Sequence, residues 1–157
     1  TPPFLSPDGS LIAATLGPRK SQTSITSILK DSVGGIGNVP GYAVGWIDNN
    51  RFLANIYSMD VNGILHYASC SIYSATGEVL ASPPLPELAS LQPVGRDTIY
   101  DPSRNAIYSL TTGQPVWMAS FTNLYTRLNP LTNKGVGAVA GNYVVYKSGP
   151  RVVAEPF

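Results

Sequence analysis

Apolar and polar positions alternate along most of this chain in short runs, and Gly or Pro interrupts almost every window long enough for a helix. A period of two, broken at short intervals, predicts β-strands joined by tight turns. The stretch Phe4 to Ala14 shows the unit. Pro7 pre-sets a turn φ, Asp8 can accept hydrogen bonds from the backbone ahead of it, and Gly9 tolerates the positive φ that most residues avoid. A strand is then expected from about Leu11.

The unit recurs. Strands after comparable turn signals read Ser10-Leu11-Ile12-Ala13-Ala14, Arg51-Phe52-Leu53-Ala54-Asn55, Asp97-Thr98-Ile99-Tyr100 and Asn142-Tyr143-Val144-Val145-Tyr146. Their anchors Leu11, Phe52, Thr98 and Tyr143 are 41, 46 and 45 residues apart. A spacing of about 40 to 45 residues filled with short strands is the signature of propeller blades. A second recurrence, Ser71 to Leu80 and Ala106 to Trp117, shares Ile-Tyr-Ser, then Thr-Gly, then an apolar run. Each copy reads as a hairpin with Thr-Gly supplying its turn.

At these residues the chain resembles the bacterial β-propellers of the quinoprotein-like, TolB-like and WD-type kinds. Ser6 to Ser10 is similar to the turn that opens a TolB-like blade. Ala106 to Trp117 resembles the quinoprotein-type repeat, whose Thr-Gly turn leads into a strand ending in Trp. The resemblance implies a fold and no particular activity.

The expected architecture is a single all-β domain over residues 1-157, a β-propeller-like array of about four short-stranded blades at 4-40, 41-87, 88-121 and 122-157. A β-sandwich is the alternative, since short strands at regular spacing suit it too. In the second unit, strands are expected at Tyr42 to Asp48, Arg51 to Ser58, Ile64 to Ser74 and Glu78 to Ser82, followed by a Pro-rich crossing at residues 82-86. The Gly-rich block from Lys30 to Gly41 reads as a flexible or functional loop. Only Pro86 to Leu91 reads as a helical turn, with Glu87 near its start. Four blades is the lower limit for a closed propeller, so a closed small ring, part of a larger propeller and a homo-oligomer all fit.

Charge narrows the partners. Charged residues are 12% of the chain, net charge is +1, and no basic run exceeds Arg19-Lys20, so the electrostatic footprint of a nucleic-acid binder is missing. No stretch has the roughly 20 continuous apolar residues of a membrane-spanning helix. Apolar residues make up 43%, enough for a core at this length. A first residue of Thr1 fits a trimmed tag, a removed signal peptide or a fragment of a longer chain. The single cysteine, Cys70, reads as a buried strand residue and can form no internal disulfide.

Candidate chemistry is sparse. His66 is the only histidine available to a nucleophile as base, and no Gly-x-Ser-x-Gly elbow occurs. His66 and Cys70, four apart on a strand, would share a face but sit about 13 Å apart, too far for joint metal ligation. Asp48-Asn49-Asn50 reads as a hairpin turn rather than a calcium loop. Asp8, Asp48 and Asp97 each fall just before a repeated strand and read as turn residues of equivalent repeats. No catalytic residue, cofactor or metal site is therefore expected. Among the aromatics, Tyr42, Trp46, Tyr67 and Tyr125 are the candidates for binding a partner. Trp46 and Trp117 also read as packing between blades.

The functional expectation is a non-enzymatic β-propeller-type binding module that recognises a protein or polysaccharide partner through its loops. The alternatives are an accessory propeller portion of a larger secreted or periplasmic enzyme and a carbohydrate-binding β domain. Low charge and abundant Ser, Thr, Asn and Tyr, with the families resembled, suggest an extracytoplasmic location.

Overall fold

In the computed structural model of the chain, the described residues are 3-18, 20-30, 34-95, 97-118, 138-140, 142-148 and 150-157. They form strands and turns with no helix. The strands are β1 (Phe4–Leu5), β2 (Leu11–Leu16), β3 (Ile25–Lys30), β4 (Gly35–Pro40), β5 (Tyr42–Asp48), β6 (Arg51–Met59), β7 (Leu65–Ser74) and β8 (Val79–Ala81). The remainder are β9 (Gln92–Pro93), β10 (Thr98–Asp101), β11 (Ala106–Ser109), β12 (Pro115–Met118), β13 (Ala138–Ala140), β14 (Tyr143–Ser148) and β15 (Arg151–Pro156). Each sheet is an antiparallel meander of consecutive strands: β1-β4, β5-β8, β9-β12 and β13-β15. The chain forms two compact units, Thr1–Leu91 and Gln92–Phe157, with two sheets in each. All-β architecture in four antiparallel sheets of short strands agrees with the sequence pattern. Tyr125 and all of residues 119-137 lie outside the described residues.

All four sequence anchors fall on the second strand of a sheet. Cross-strand register then refines the phase by one residue. Ile12 pairs with Leu29, Phe52 with Tyr73, Ile99 with Tyr108 and Val144 with Glu155. In three of the sheets a backbone bond repeats at fixed offsets from these pairs: the N–H groups of Ala75, Leu110 and Phe157 donate to the carbonyls of Asn50, Asp97 and Asn142. Equivalent positions are therefore Ile12, Phe52, Ile99 and Val144, spaced 40, 47 and 45 residues. Phe52 does not align with Leu11, and a slip of one residue moves a side chain to the opposite face. The same register corrects Asp97. Asp8 and Asp48 are equivalent and each accepts from the N–H two residues on, Ser10 at 2.9 Å and Asn50 at 2.8 Å. Asp97 instead occupies the place of Asn50, with φ 53°, and serves that position through its carbonyl.

Each sheet thus has two definable faces. Face A carries Ile12, Phe52, Ile99 and Val144; face B carries Ala13, Leu53, Tyr100 and Val145. In the first unit, Leu11, Ala13, Ile28 and Val39 of face B in the β1-β4 sheet pack on Ala43, Trp46, Phe52, Ala54 and Tyr73 of face A in the β5-β8 sheet. Trp46, Phe52 and Tyr73 stack in series, with ring centroids 5.2 and 5.5 Å apart. Hydrogen bonds seal this seam: Trp46 Nε1 donates to Phe4 O, Thr26 Oγ1 to Gly41 O, and Tyr73 Oη to Pro40 O. In the second unit, Tyr100, Ile107 and Trp117 of face B in the β9-β12 sheet pack on Val144 of the next sheet, with Val153 and Phe157 alongside. Trp117 Nε1 donates to Glu155 Oε2. Both tryptophans are buried packing residues, the second of the two roles expected for Trp46.

Two sequence expectations fail for identifiable reasons. Half of the Gly-rich block is strand rather than loop: Gly35–Pro40 is β4, hydrogen-bonded along β3. Its glycines serve a bulge and a close approach, since a Cβ on Gly37 would lie 3.3 Å from the Thr76 carbonyl oxygen of the neighbouring sheet. Pro86 to Leu91 is not helical either. Leu85, Leu88 and Leu91 are all buried, and a spacing of three on a Pro-rich segment puts one face of an extended chain, not of an α-helix, against the protein. The segment 82-91 forms a strap over face B of the β5-β8 sheet. The strands expected in that sheet match β5 to β8 within two residues at each end.

Candidate interaction surface

The most elaborated element is the β6-β7 hairpin. From Phe52 to its partner Tyr73 the chain takes 21 residues, against 17, 9 and 11 between the equivalent pairs of the other sheets. The extra length carries the hairpin outward from the packed sheet.

Its tip is built by Asp60. Oδ1 accepts from the N–H of Asn62 at 2.8 Å and of Ile64 at 2.9 Å, and Oδ2 lies 2.9 Å from His66 Nε2. The backbone closes the turn through Asp60 N to Ile64 O and Gly63 N to Asp60 O. The His66 hydrogen bond, then those from the Ile64 and Asn62 backbone, hold the Asp60 carboxyl below its ordinary pKa. This fixed turn displays apolar side chains: Met59 and Ile64 are about half exposed, and Val61 is 100% exposed. A rigid loop loses little conformational freedom when a partner covers it.

The shank of the hairpin is fastened by the strap. On face B, the Tyr57 and Tyr67 rings meet edge to face at 6.2 Å. Tyr67 Oη donates to Leu85 O at 2.8 Å, Cys70 Sγ to Pro83 O, and Asn55 Nδ2 to Leu88 O at 2.8 Å. Tyr57 Oη donates to Glu87 Oε1 at 2.7 Å, and the same carboxylate pairs with Lys20 Nζ at 2.7 Å. Burial is the main reason that both phenols titrate above their ordinary value; the Glu87 carboxylate adds to it at Tyr57. Burial also raises the Cys70 thiol, which suits a packing residue and not a nucleophile. Asn55 Oδ1 is buried without a hydrogen-bond partner, a local cost of roughly 1–3 kcal/mol.

The structure separates the residues that sequence reasoning grouped. A bulge between Ile56 and Tyr57 lets β7 gain a residue between Tyr67 and Ser69. Cys70 therefore joins Tyr67 on the buried face while His66 points to solvent, so the two do not share a face as strand alternation predicted. Of the four aromatic partner-binding candidates, Tyr42 and Trp46 are buried in the first unit, Tyr67 is half-buried under the strap, and Tyr125 is outside the described residues. Met59, Val61 and Ile64 were missed, although Asn62-Gly63 between apolar residues is a hairpin signal. The buried carboxylate of Asp101 is taken up by its own turn, through Ser103 N, Ser103 Oγ and Arg104 Nη1. Among the described residues, no three of His, Cys, Asp and Glu gather as metal ligands. Compared with protein-family models, curated proteins and solved structures, the chain matches none.

Proposed function

We propose that the chain is a non-enzymatic, extracytoplasmic interaction module of β-propeller type, in which stacked sheets carry the β6-β7 hairpin as the element that meets a protein or polymer partner. The observation that carries this reading is the packing order. In each unit, face B of one sheet lies on face A of the next at equivalent ladder positions. A sandwich buries one face of each sheet and leaves the other to solvent, whereas radial repetition buries each sheet between two neighbours. The β5-β8 sheet, covered on face A by its neighbour and on face B by the strap, supports the second arrangement.

The hairpin tip is the favoured contact because it is rigid, apolar and longer than its equivalents. The test uses Val61→Asp combined with Ile64→Asp, both exposed, beside the wild-type chain. A partner identified by affinity capture and then re-bound as a purified component is expected to lose at least tenfold in affinity with the double variant. Unchanged affinity removes the tip from the interface. A hydrolytic or redox turnover by the purified chain that disappears in His66→Ala or Asp101→Asn overturns the non-enzymatic reading.

A further inference from the structure

Among the described residues, the order of faces leaves two of them open. Face A of the β1-β4 sheet holds Leu5, Ile12, Ala14, Leu16, Ile25 and Leu29. These correspond by register to face A of the β5-β8 sheet: Leu5, Ile12 and Leu29 stand where Trp46, Phe52 and Tyr73 stand, and the Ala14–Ser27 pair stands where Ala54 and Ser71 pair. The second set is buried under a face B. In the first set Leu5 is 62% and Leu16 61% exposed, with Ile12, Ala14 and Leu29 half-buried. None of the six is charged, and the polar pair on this face, Ser27 and Asn38, bond each other. Among the described residues, it is an interior-type face without a cover.

A face of this kind takes a face B. Among the described residues, face B of the β1-β4 and β9-β12 sheets is already packed on the next sheet, and that of β5-β8 lies under the strap. The β13-β15 sheet remains. By register its face B carries Tyr143, Val145, Ala154, Pro156 and Val152, the last 74% exposed, with Lys147 at the ladder position paired with Val152. We propose that face A of the β1-β4 sheet docks on face B of the β13-β15 sheet of a second copy of this chain. The inference rests on the B-on-A packing order and not on what the hairpin tip binds.

Size sets the expected strength. Four strands about 4.8 Å apart with six residues rising about 3.3 Å each give a footprint on the order of 400 Å². One such contact is roughly half a standard interface per partner, and two copies that exchange two contacts reach it. The contact is heterologous, so its two sides can be broken separately.

The test is light scattering on the 157-residue chain over a concentration series reaching about 0.5 mM, with Leu16→Glu and Val152→Glu, each exposed within its own copy. Wild type is expected to rise from 16.7 kDa toward twice that mass, and each variant alone to stay at the single-chain mass. An equimolar mixture of the two variants keeps one of the two contacts, an intact face A on an intact face B, and is expected to rise above the single-chain mass at the top of the concentration series, though less than wild type. Far-UV dichroism confirms folding, and Leu5→Glu replaces Leu16→Glu if the latter unfolds. A wild-type chain that keeps the single-chain mass throughout overturns the proposal. So does a dimer indifferent to both variants, or a mixture that stays monomeric. These outcomes leave binding through Val61 and Ile64 untouched, so the two proposals fail independently.

Discussion

The β1-β4 and β5-β8 sheets are built on the same ladder and end in opposite conditions. Ala14 beside Ser27 in one corresponds to Ala54 beside Ser71 in the other, with larger apolar residues next along the strand in both. In the β5-β8 sheet this face meets a neighbour and is filled with Trp46, Phe52 and Tyr73; in the β1-β4 sheet the same positions hold aliphatic side chains, Leu5 exposed and Ile12 and Leu29 half-buried. The comparison teaches that position in the stacking order, more than the composition of a strand, decides what a side chain contributes. Phe52 is wholly buried, so Phe52→Ala is expected to cost about 3–5 kcal/mol, whereas Ile12→Ala at the equivalent half-buried position is expected to cost about 1 kcal/mol. Urea unfolding in a Trp117→Phe background lets Trp46 report on the first unit. Equal losses would break the comparison and show that face A of the β1-β4 sheet is already covered.

The seam between these sheets depends on one residue. Gly41 has φ 115°, and a Cβ there would lie 2.8 Å from Ile56 Cδ1 and 3.0 Å from Asn55 O. Gly17 has a similar φ of 100° but open space around it. Gly17→Ala is expected to cost about 1 kcal/mol from backbone strain alone. Gly41→Ala adds a steric collision and the displacement of Thr26 Oγ1 from the Gly41 carbonyl, for a total of roughly 2–4 kcal/mol. The difference between the two, read from the same unfolding curves, measures how rigidly the seam is set.

The strand periods, the turns and the second-strand anchors were legible because they depend on local chemistry: alternation, Asx turns and Thr-Gly corners. Face assignment was not, since it depends on a count that bulges alter. One residue separated Phe52 from its true partners, and one bulge put Cys70 and His66 on opposite faces. The Gly-rich β4 strand was hidden for a related reason. Gly37 reads as loop chemistry until the approach of Thr76 from the next sheet explains it, and that neighbour lies 39 residues away in the chain. The strap resembled a helix because buried leucines three apart occur in both kinds of chain, and Pro83, Pro84 and Pro86 were the better guide.

The two faces of the β5-β8 sheet differ in how they are held, A by rings and B by hydrogen bonds, and pH separates them. Tyr57 and Tyr67 titrate above the ordinary value of 10.0 in the folded chain. Their contribution is therefore complete below pH 10 and is lost as pH rises beyond it. Wild type is expected to lose stability more steeply above pH 10 than the Tyr57→Phe, Tyr67→Phe double variant. At pH 8 each single change should cost about 1 kcal/mol, since Leu85 O or Glu87 loses a donor. Parallel curves for wild type and the double variant would show that the strap does not depend on these hydroxyls.

The smallest expected effect belongs to the hairpin tip, which lies outside both packed faces. Asp60 titrates below its ordinary value when folded, so its contribution is present above about pH 4 and fades as pH falls through the folded value. Asn in its place keeps an Oδ1 for the Asn62 and Ile64 N–H groups but loses the charge facing His66. Asp60→Asn is therefore expected to leave global stability near pH 7 almost unchanged while flattening the acid dependence of the tip. Amide exchange at Asn62 and Ile64, followed from pH 6 to pH 3, isolates this from the rest of the sheet. Protection lost on acidification in wild type, but constant in the variant, ties the display of Val61 to the Asp60 carboxylate. Identical pH profiles would mean that the backbone bonds of the turn hold the tip unaided.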